Sequence, residues 1–97
     1  MKVRFLSPAN KELAEVIDYY DHQLPGLGFR MFQEVSSSIE RIILMPDAWM
    51  KIGEYTRRCL LKGFPYAIYF VKEQKEIIIT AIANLHRNPE HYKNRIL

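Results

Sequence analysis

The chain is poor in the residues that several common functions need. It has one cysteine, Cys59, among 97 residues. A lone thiol excludes a disulfide framework and a cysteine-built zinc site, and a free cysteine in a strand pattern ordinarily packs as a small apolar residue. Glycine is also scarce, at 4 residues. None of the four sits in a phosphate-cradling loop, a dinucleotide-binding fingerprint or a nucleophile elbow. No apolar run approaches the roughly 20 residues of a membrane span. Pro8 and Asn10 interrupt the start, where a signal peptide would need its apolar stretch. The cytoplasm is therefore the expected location. There is no linker, internal repeat or low-complexity tract.

What is present suffices for one core. Apolar residues make up 48% and aromatics 12% of the chain, which sets it apart from disordered sequences. The length fits a single domain over residues 1–97 and leaves no room for two. The net charge of +3 is modest, but it is unevenly spread. From Lys51 to Leu97 there are nine Lys and Arg against four Asp and Glu, whereas the first half is slightly acidic. Positive charge thus concentrates in the second half, where the strand patterns lie.

Lys2, Val3, Arg4 and Phe5 alternate basic and apolar, the pattern of a short strand. Ser7-Pro8 then opens a helix, with Ser7 placed to accept from a free helical N–H and Pro8 suited to the first turn. Ala9, Leu13, Val16, Ile17 and Tyr20 give that helix one apolar face, and Pro25-Gly26 ends it. A second helix over Leu27–Met45 carries Phe29, Phe32, Val35, Ile39, Ile42 and Ile43 at helical spacing, which predicts a core-facing stripe; Pro46 stops it. Two such helices joined by a Pro-Gly turn form a hairpin. Three strands follow: Tyr55–Leu61, Tyr66–Val71 and Glu76–Leu85. The turn Lys62-Gly63-Phe64-Pro65 separates the first two, and Glu73–Lys75 separates the last two. Ile77-Ile78-Ile79 is apolar on both faces, so the last strand belongs in the sheet interior. The fold class is α+β: an N-terminal strand, a helical hairpin, then a three-stranded antiparallel meander with the helices on one sheet face.

Two clusters carry candidate chemistry. Arg57 and Arg58 are adjacent in a strand and so point to opposite faces. The one on the helix side must reach an edge or a partner, which leaves the other free to bind. Arginine suits phosphate or carboxylate because its planar fork donates two parallel hydrogen bonds. The second cluster is the tail, Asn84 to Arg95, which interleaves His86, Arg87, His91, Lys93 and Arg95 with Tyr92. Such a mixture contacts phosphates and stacks on bases, and His86 is of the residue type most often used as a general acid or base. His86 and His91 have no third ligand at clear spacing, so no metal site and no cofactor are expected. His22 sits near a helix end, where a surface role is ordinary.

Taken together, these residues resemble the RelE/ParE superfamily of toxins from bacterial type II toxin–antitoxin systems, in the branch of plasmid stabilisation proteins. The resemblance runs over nearly the whole chain. It rests on Val16-Ile17-Asp18-Tyr19-Tyr20, on Leu24-Pro25-Gly26-Leu27-Gly28 with Arg30 and Phe32, and on Arg57-Arg58. Phe64-Pro65-Tyr66-Ala67-Ile68-Tyr69-Phe70 follows, then Ala81-Ile82-Ala83 with Arg87, Pro89, Tyr92 and Arg95. It implies an antiparallel sheet packed on a helical hairpin. It also implies a cognate antitoxin whose C-terminal segment wraps the domain by adding a strand or laying a helix in a groove.

Two mechanisms follow from the resemblance. ParE-like members inhibit DNA gyrase by binding, which would make Arg57, Arg58, Arg87 and Arg95 target contacts. RelE-like members cut messenger RNA on the ribosome. In that case Arg58 and Arg87 would hold phosphate, with His86 or Tyr92 handling protons, so that His86, Arg58, Arg87 and Tyr92 form the catalytic set. Asn84 stands where this branch often has His, His86 where it often has Arg, and Tyr92 where it often has Trp. These departures rank the binding inhibitor ahead of the endoribonuclease. A non-toxic relative that only pairs with an antitoxin is the third reading. The resemblance is compatible with a homodimer or a toxin–antitoxin hetero-oligomer, and it implies no membrane association.

Overall fold

The computed structural model describes every residue from Met1 to Leu97. The order is β1 (Lys2–Phe5), α1 (Ser7–Gln23), α2 (Leu27–Leu44), β2 (Met50–Lys51), β3 (Thr56–Leu60), β4 (Tyr66–Glu73) and β5 (Glu76–Asn84), followed by a 3₁₀ tail helix, Pro89–Arg95. The α+β class, the helical hairpin and the β3–β4–β5 meander are as the sequence implies. The sheet is larger than the meander. Its five strands run β1-β5-β4-β3-β2. β1 pairs with β5 in parallel, with Val3 opposite Ile77 and Phe5 opposite Ile79, so the sheet is mixed rather than purely antiparallel. The long connection that parallel pairing requires is supplied here by the helical hairpin and the three strands between β1 and β5. β2 is two residues paired with Arg57 and Arg58, too short to leave an alternation in the sequence.

Neither helix starts with a side-chain cap, although Ser7 is expected to cap the first. Ser7 is already the first helical residue of α1, and Leu6 occupies the cap position with no side-chain bond. Pro8 does lie in the first turn, where its missing N–H costs nothing. α1 closes with the Leu24 amide on the Tyr20 carbonyl at 3.1 Å. Gly26, at φ +92°, then reverses the chain in a conformation that side chains resist. The Asp21 carboxylate receives its amide at 3.0 Å.

The main core lies between the helices and the sheet. It joins Ala9 and Val16 of α1 and Met31, Val35 and Ile42 of α2 to Cys59, Ile68, Phe70, Ile77, Ile79 and Ile82 of the sheet. Here the sequence expectation needs correction. Phe29 and Phe32 do not join this core and are 62% and 48% exposed. The buried arc of α2 is instead Gly28, Met31, Val35, Ser38 and Ile42. The helix is rotated onto that arc because Gly28 lets α2 approach α1 closely. A Cβ at Gly28 would lie 2.5 Å from the Ile17 carbonyl oxygen.

One polar group is anchored beside the core. Glu34 of α2 accepts from the Lys62 amide at 2.7 Å, from Ser38 Oγ at 3.1 Å and from Arg41 at 3.3 Å. Burial alone would push its carboxyl up. The hydrogen bonds from Lys62, Ser38 and Arg41, with the Arg41 charge, outweigh burial and hold it below the usual carboxylate range.

Two predictions follow. Gly28→Ala should destabilise the domain by about 1–3 kcal/mol, the usual cost of overpacking against a fixed backbone, read from urea unfolding. The second concerns pH. The folded pKa of Glu34 lies below the unfolded value of about 4.3. Its stabilisation is therefore complete above that value and lost as pH falls through the folded pKa. Glu34→Gln should flatten this acid limb of the stability profile, and an unchanged limb would show that Glu34 is not its source.

Candidate functional site

The sheet face opposite the helices carries small residues. Ala67, Ala81 and Ala83 form a trough there, with Tyr69 beside them. A bulge in β5 creates this alignment. Tyr69 pairs with Ala81 and Phe70 with Ile79, which leaves Thr80 as the extra residue. The bulge lets Ile79 and Ile82 both face the helices and turns Ala81 and Ala83 to the other side.

The C-terminal tail straps across this trough. Asn88 caps the tail helix by accepting the Glu90 amide at 3.0 Å, and Pro89 fits its first turn. The Tyr92 ring fills the trough and packs edge-on to Tyr69, with centroids 5.8 Å apart. Its hydroxyl accepts from the Asn84 amide at 2.8 Å. Farther on, the Leu97 carbonyl accepts from the Tyr55 and Thr56 amides at 2.7 and 2.9 Å. The Leu97 amide donates to Thr56 Oγ1 at 2.7 Å. Gly53 makes room for this end, since a Cβ there would lie 2.6 Å from the Leu97 oxygen.

Midway along the strap, Arg95 places its guanidinium fork on both carboxylate oxygens of Glu12 in α1. It also donates to the Thr80 carbonyl, at 3.3 Å, and lies over the Tyr92 ring. Glu12 accepts a further bond, from the Ile82 amide, at 3.0 Å. Both side chains are mostly shielded, at 17% and 21% exposure. Such a pair differs in kind from the tail's exposed Lys93–Glu90 pair, which contributes about 0–1 kcal/mol.

The structure therefore sorts the residues singled out from sequence. Arg57 lies on the helix side of β3 and donates to the Trp49 carbonyl at 2.8 Å. Arg58 lies on the tail side, opposite Tyr69. Burial pushes the Tyr69 phenol up, and the Arg58 charge offsets part of that. Arg95 is engaged with Glu12, and Tyr92 is buried at 4% exposure. His86 and Arg87 are exposed in the turn after β5. Asn84 builds that turn: its side-chain oxygen accepts the His86 amide at 2.9 Å and its carbonyl accepts the Arg87 amide at 3.1 Å.

A cleft of about 500 Å³ runs between α1 and the tail, and His86, Arg87, His91 and Tyr92 line it together with Tyr19, Tyr66 and Glu15. Arg57 and Arg58 are not part of its lining. The cleft thus gathers three members of the sequence-derived catalytic set and leaves the fourth, the half-buried Arg58, outside it on the tail side of the sheet. Burial pushes the Tyr66 phenol up, with Arg87 a minor opposing charge. Cys59 is fully buried, and burial pushes its thiol up against the pull of Arg41, so it packs as a thiol rather than acting as a nucleophile. No cluster of three or more His, Cys, Asp or Glu has a metal-holding arrangement, and no helix is long and apolar enough to cross a membrane.

Sequence reasoning missed Glu12 altogether, and it met Asn84, Tyr66 and Tyr69 only as positions in a motif or cluster, with no role in the site. Glu12 looks like an ordinary solvated helix residue, and nothing local marks it as the partner of a residue 83 positions away.

No family model and no curated protein matches the sequence. Among solved structures, a chain of the chromosomal ParDE TA system from P. aeruginosa superposes with a TM-score of 0.76, covering 89% of this chain and 97% of that one. The two share one fold. At 18% identity the ParDE likeness is a statement about architecture alone.

The clamp gives a prediction. Removing one partner of a shielded ion pair leaves the other charge uncompensated, so Glu12→Ala or Arg95→Ala should each cost about 2–4 kcal/mol. Amide exchange at Tyr55 and Thr56 should quicken in both variants, because the far end of the strap loses its midpoint. Loss of stability without faster exchange there would mean that the two ends are held independently.

Proposed function

We propose that this chain is the toxin of a type II toxin–antitoxin module, neutralised by a cognate antitoxin, and that it acts in the cytoplasm by gripping DNA gyrase. The observation that carries this reading is the architecture shared with the ParDE system over 89% of the chain. The disposition of the cations supports a gripping mode. Arg87 is exposed and Arg58 half-buried, neither is bonded to another side chain, and together they form the contact set. Arg57 and Arg95, bonded to Trp49 and Glu12, hold the platform on which those contacts stand. The antitoxin is the expected partner, in a hetero-oligomer that covers part of this surface.

Messenger RNA cleavage is the second reading, and one observation favours it: His86 and Arg87 stand side by side at the rim of the cleft. Against it, the Tyr92 hydroxyl already accepts the Asn84 amide inside the fold, and Arg58 lies outside the cleft. An acid–base pair must converge on one reacting oxygen.

Expression of the chain alone should arrest growth, and co-expression of the antitoxin should relieve it. Purified protein should inhibit gyrase supercoiling and leave ribosome-bound message intact. Arg58→Ala with Arg87→Ala should reduce that inhibition at least tenfold without loss of fold by circular dichroism. Message cleavage abolished by His86→Ala would replace the gripping mode with the nuclease. Inactivity in every assay, with antitoxin binding intact, would leave a non-toxic relative.

A further inference from the structure

The turn between β5 and the tail helix carries His86 and Arg87, and no buried apolar side chain holds it. Leu85, His86, Arg87 and Asn88 are all exposed. Its geometry therefore rests on hydrogen bonds, and its backbone amides need partners. The Leu85 amide donates to the Pro65 carbonyl at 2.9 Å. The next two both go to Asn84. The His86 amide donates to Oδ1 at 2.9 Å, and the Arg87 amide donates to the Asn84 carbonyl at 3.1 Å.

Asn84 is itself held from two sides. Its backbone amide donates to the Tyr92 hydroxyl of the tail at 2.8 Å. It pairs with Tyr66 at the start of β4, and its Nδ2 donates to the Tyr66 hydroxyl at 3.4 Å. With Oδ1 facing an N–H donor, the NH₂ group is left for that hydroxyl, so the side chain has one orientation. The Arg87 charge reaches the same phenol and opposes part of the rise that burial and the neighbouring tyrosines impose on it. No carboxylate of the chain forms an ion pair with Arg87. A neutral amide thus orders the turn without pairing the cation. An aspartate at this position would accept the same His86 amide but would set a negative charge beside Arg87.

We propose that Asn84 is the positioning residue for Arg87. It fixes the turn that presents the guanidinium at the rim of the cleft. Because its amide is neutral, it leaves that charge free for an anionic group of the target. The role rests on the gripping mode proposed above, in which Arg87 is a contact. The side chain acts separately from the strap. The bond to Tyr92 uses the Asn84 backbone, so a substitution of the side chain removes the hold on the turn and leaves the tail anchored.

The test compares Asn84→Ala, Asn84→Ser and Asn84→Asp in the full chain, by amide NMR and by inhibition of gyrase supercoiling. Asn84→Ala should speed exchange of the His86 and Arg87 amides and weaken inhibition about fivefold, the factor expected of one hydrogen bond. The double variant with Arg87→Ala should inhibit no worse than Arg87→Ala alone, because the two residues act as one unit. Asn84→Ser, whose shorter hydroxyl still accepts the His86 amide, should fall between the alanine variant and the unaltered chain. Asn84→Asp should keep that amide slow to exchange, yet lose as much inhibition as Arg87→Ala. Multiplying effects of Asn84→Ala and Arg87→Ala would overturn the proposal, and so would an Asn84→Asp chain that inhibits fully. If the unaltered chain leaves gyrase untouched, the gripping mode falls and the exchange data decide the positioning role. Unchanged exchange at His86 and Arg87 in Asn84→Ala then overturns it, and faster exchange upholds it.

Discussion

The Glu12 carboxylate joins three elements, α1, β5 and the tail. It stands on α1, accepts the Ile82 amide of β5 where β1 no longer covers that strand, and receives the Arg95 fork from the tail. Burying one carboxylate this far is unfavourable unless its lone pairs are filled, and here they are. The bulge at Thr80 is part of the same arrangement, since its carbonyl also accepts from Arg95. Once the fork is in place, Tyr92 lies over the alanine trough and Leu97 reaches Thr56. The small side chains of the trough and the large ring above it are one packing unit.

This strap decides what the basic half of the chain presents. Two of the arginines are consumed in building the surface, Arg57 against the Trp49 carbonyl and Arg95 against Glu12. Arg58 and Arg87 remain outward, on different sides of the tail. Separated cations suit adhesion to a broad partner surface, which tolerates spacing, better than a reaction centre, which does not. The cleft beside α1 adds tyrosine rings and a guanidinium, residue types that concentrate binding energy at interfaces.

Much of the fold was legible because its elements are written in local periodicity. The α1 stripe, the Pro25-Gly26 turn and the Ile77-Ile78-Ile79 strand each state their structure within a few residues. The α2 stripe was legible as a helix but not as an orientation. Phe29 and Phe32 have the right spacing for a core face, yet Gly28 against Ile17 turns a different arc inward. The opposed directions of Arg57 and Arg58 followed from strand geometry alone. Which of them would be tied down did not, because Trp49 becomes a neighbour only when β2 pairs with β3.

The sequence by itself determined an α+β domain with a helical hairpin, a three-strand meander and a basic second half, because helix and strand periods and charge are properties of neighbouring residues. It also carried a toxin-like resemblance in the order of its motifs. Tertiary structure alone decided the parallel seat of β1, the bulge at Thr80 and the pairing of Glu12 with Arg95. Those depend on residues far apart in the chain meeting at one point, and no local pattern encodes such a meeting. The tail-side surface belongs to that second class. A tail that reads as free basic residues becomes, once Glu12 holds it, a strap with two of its cations left outside.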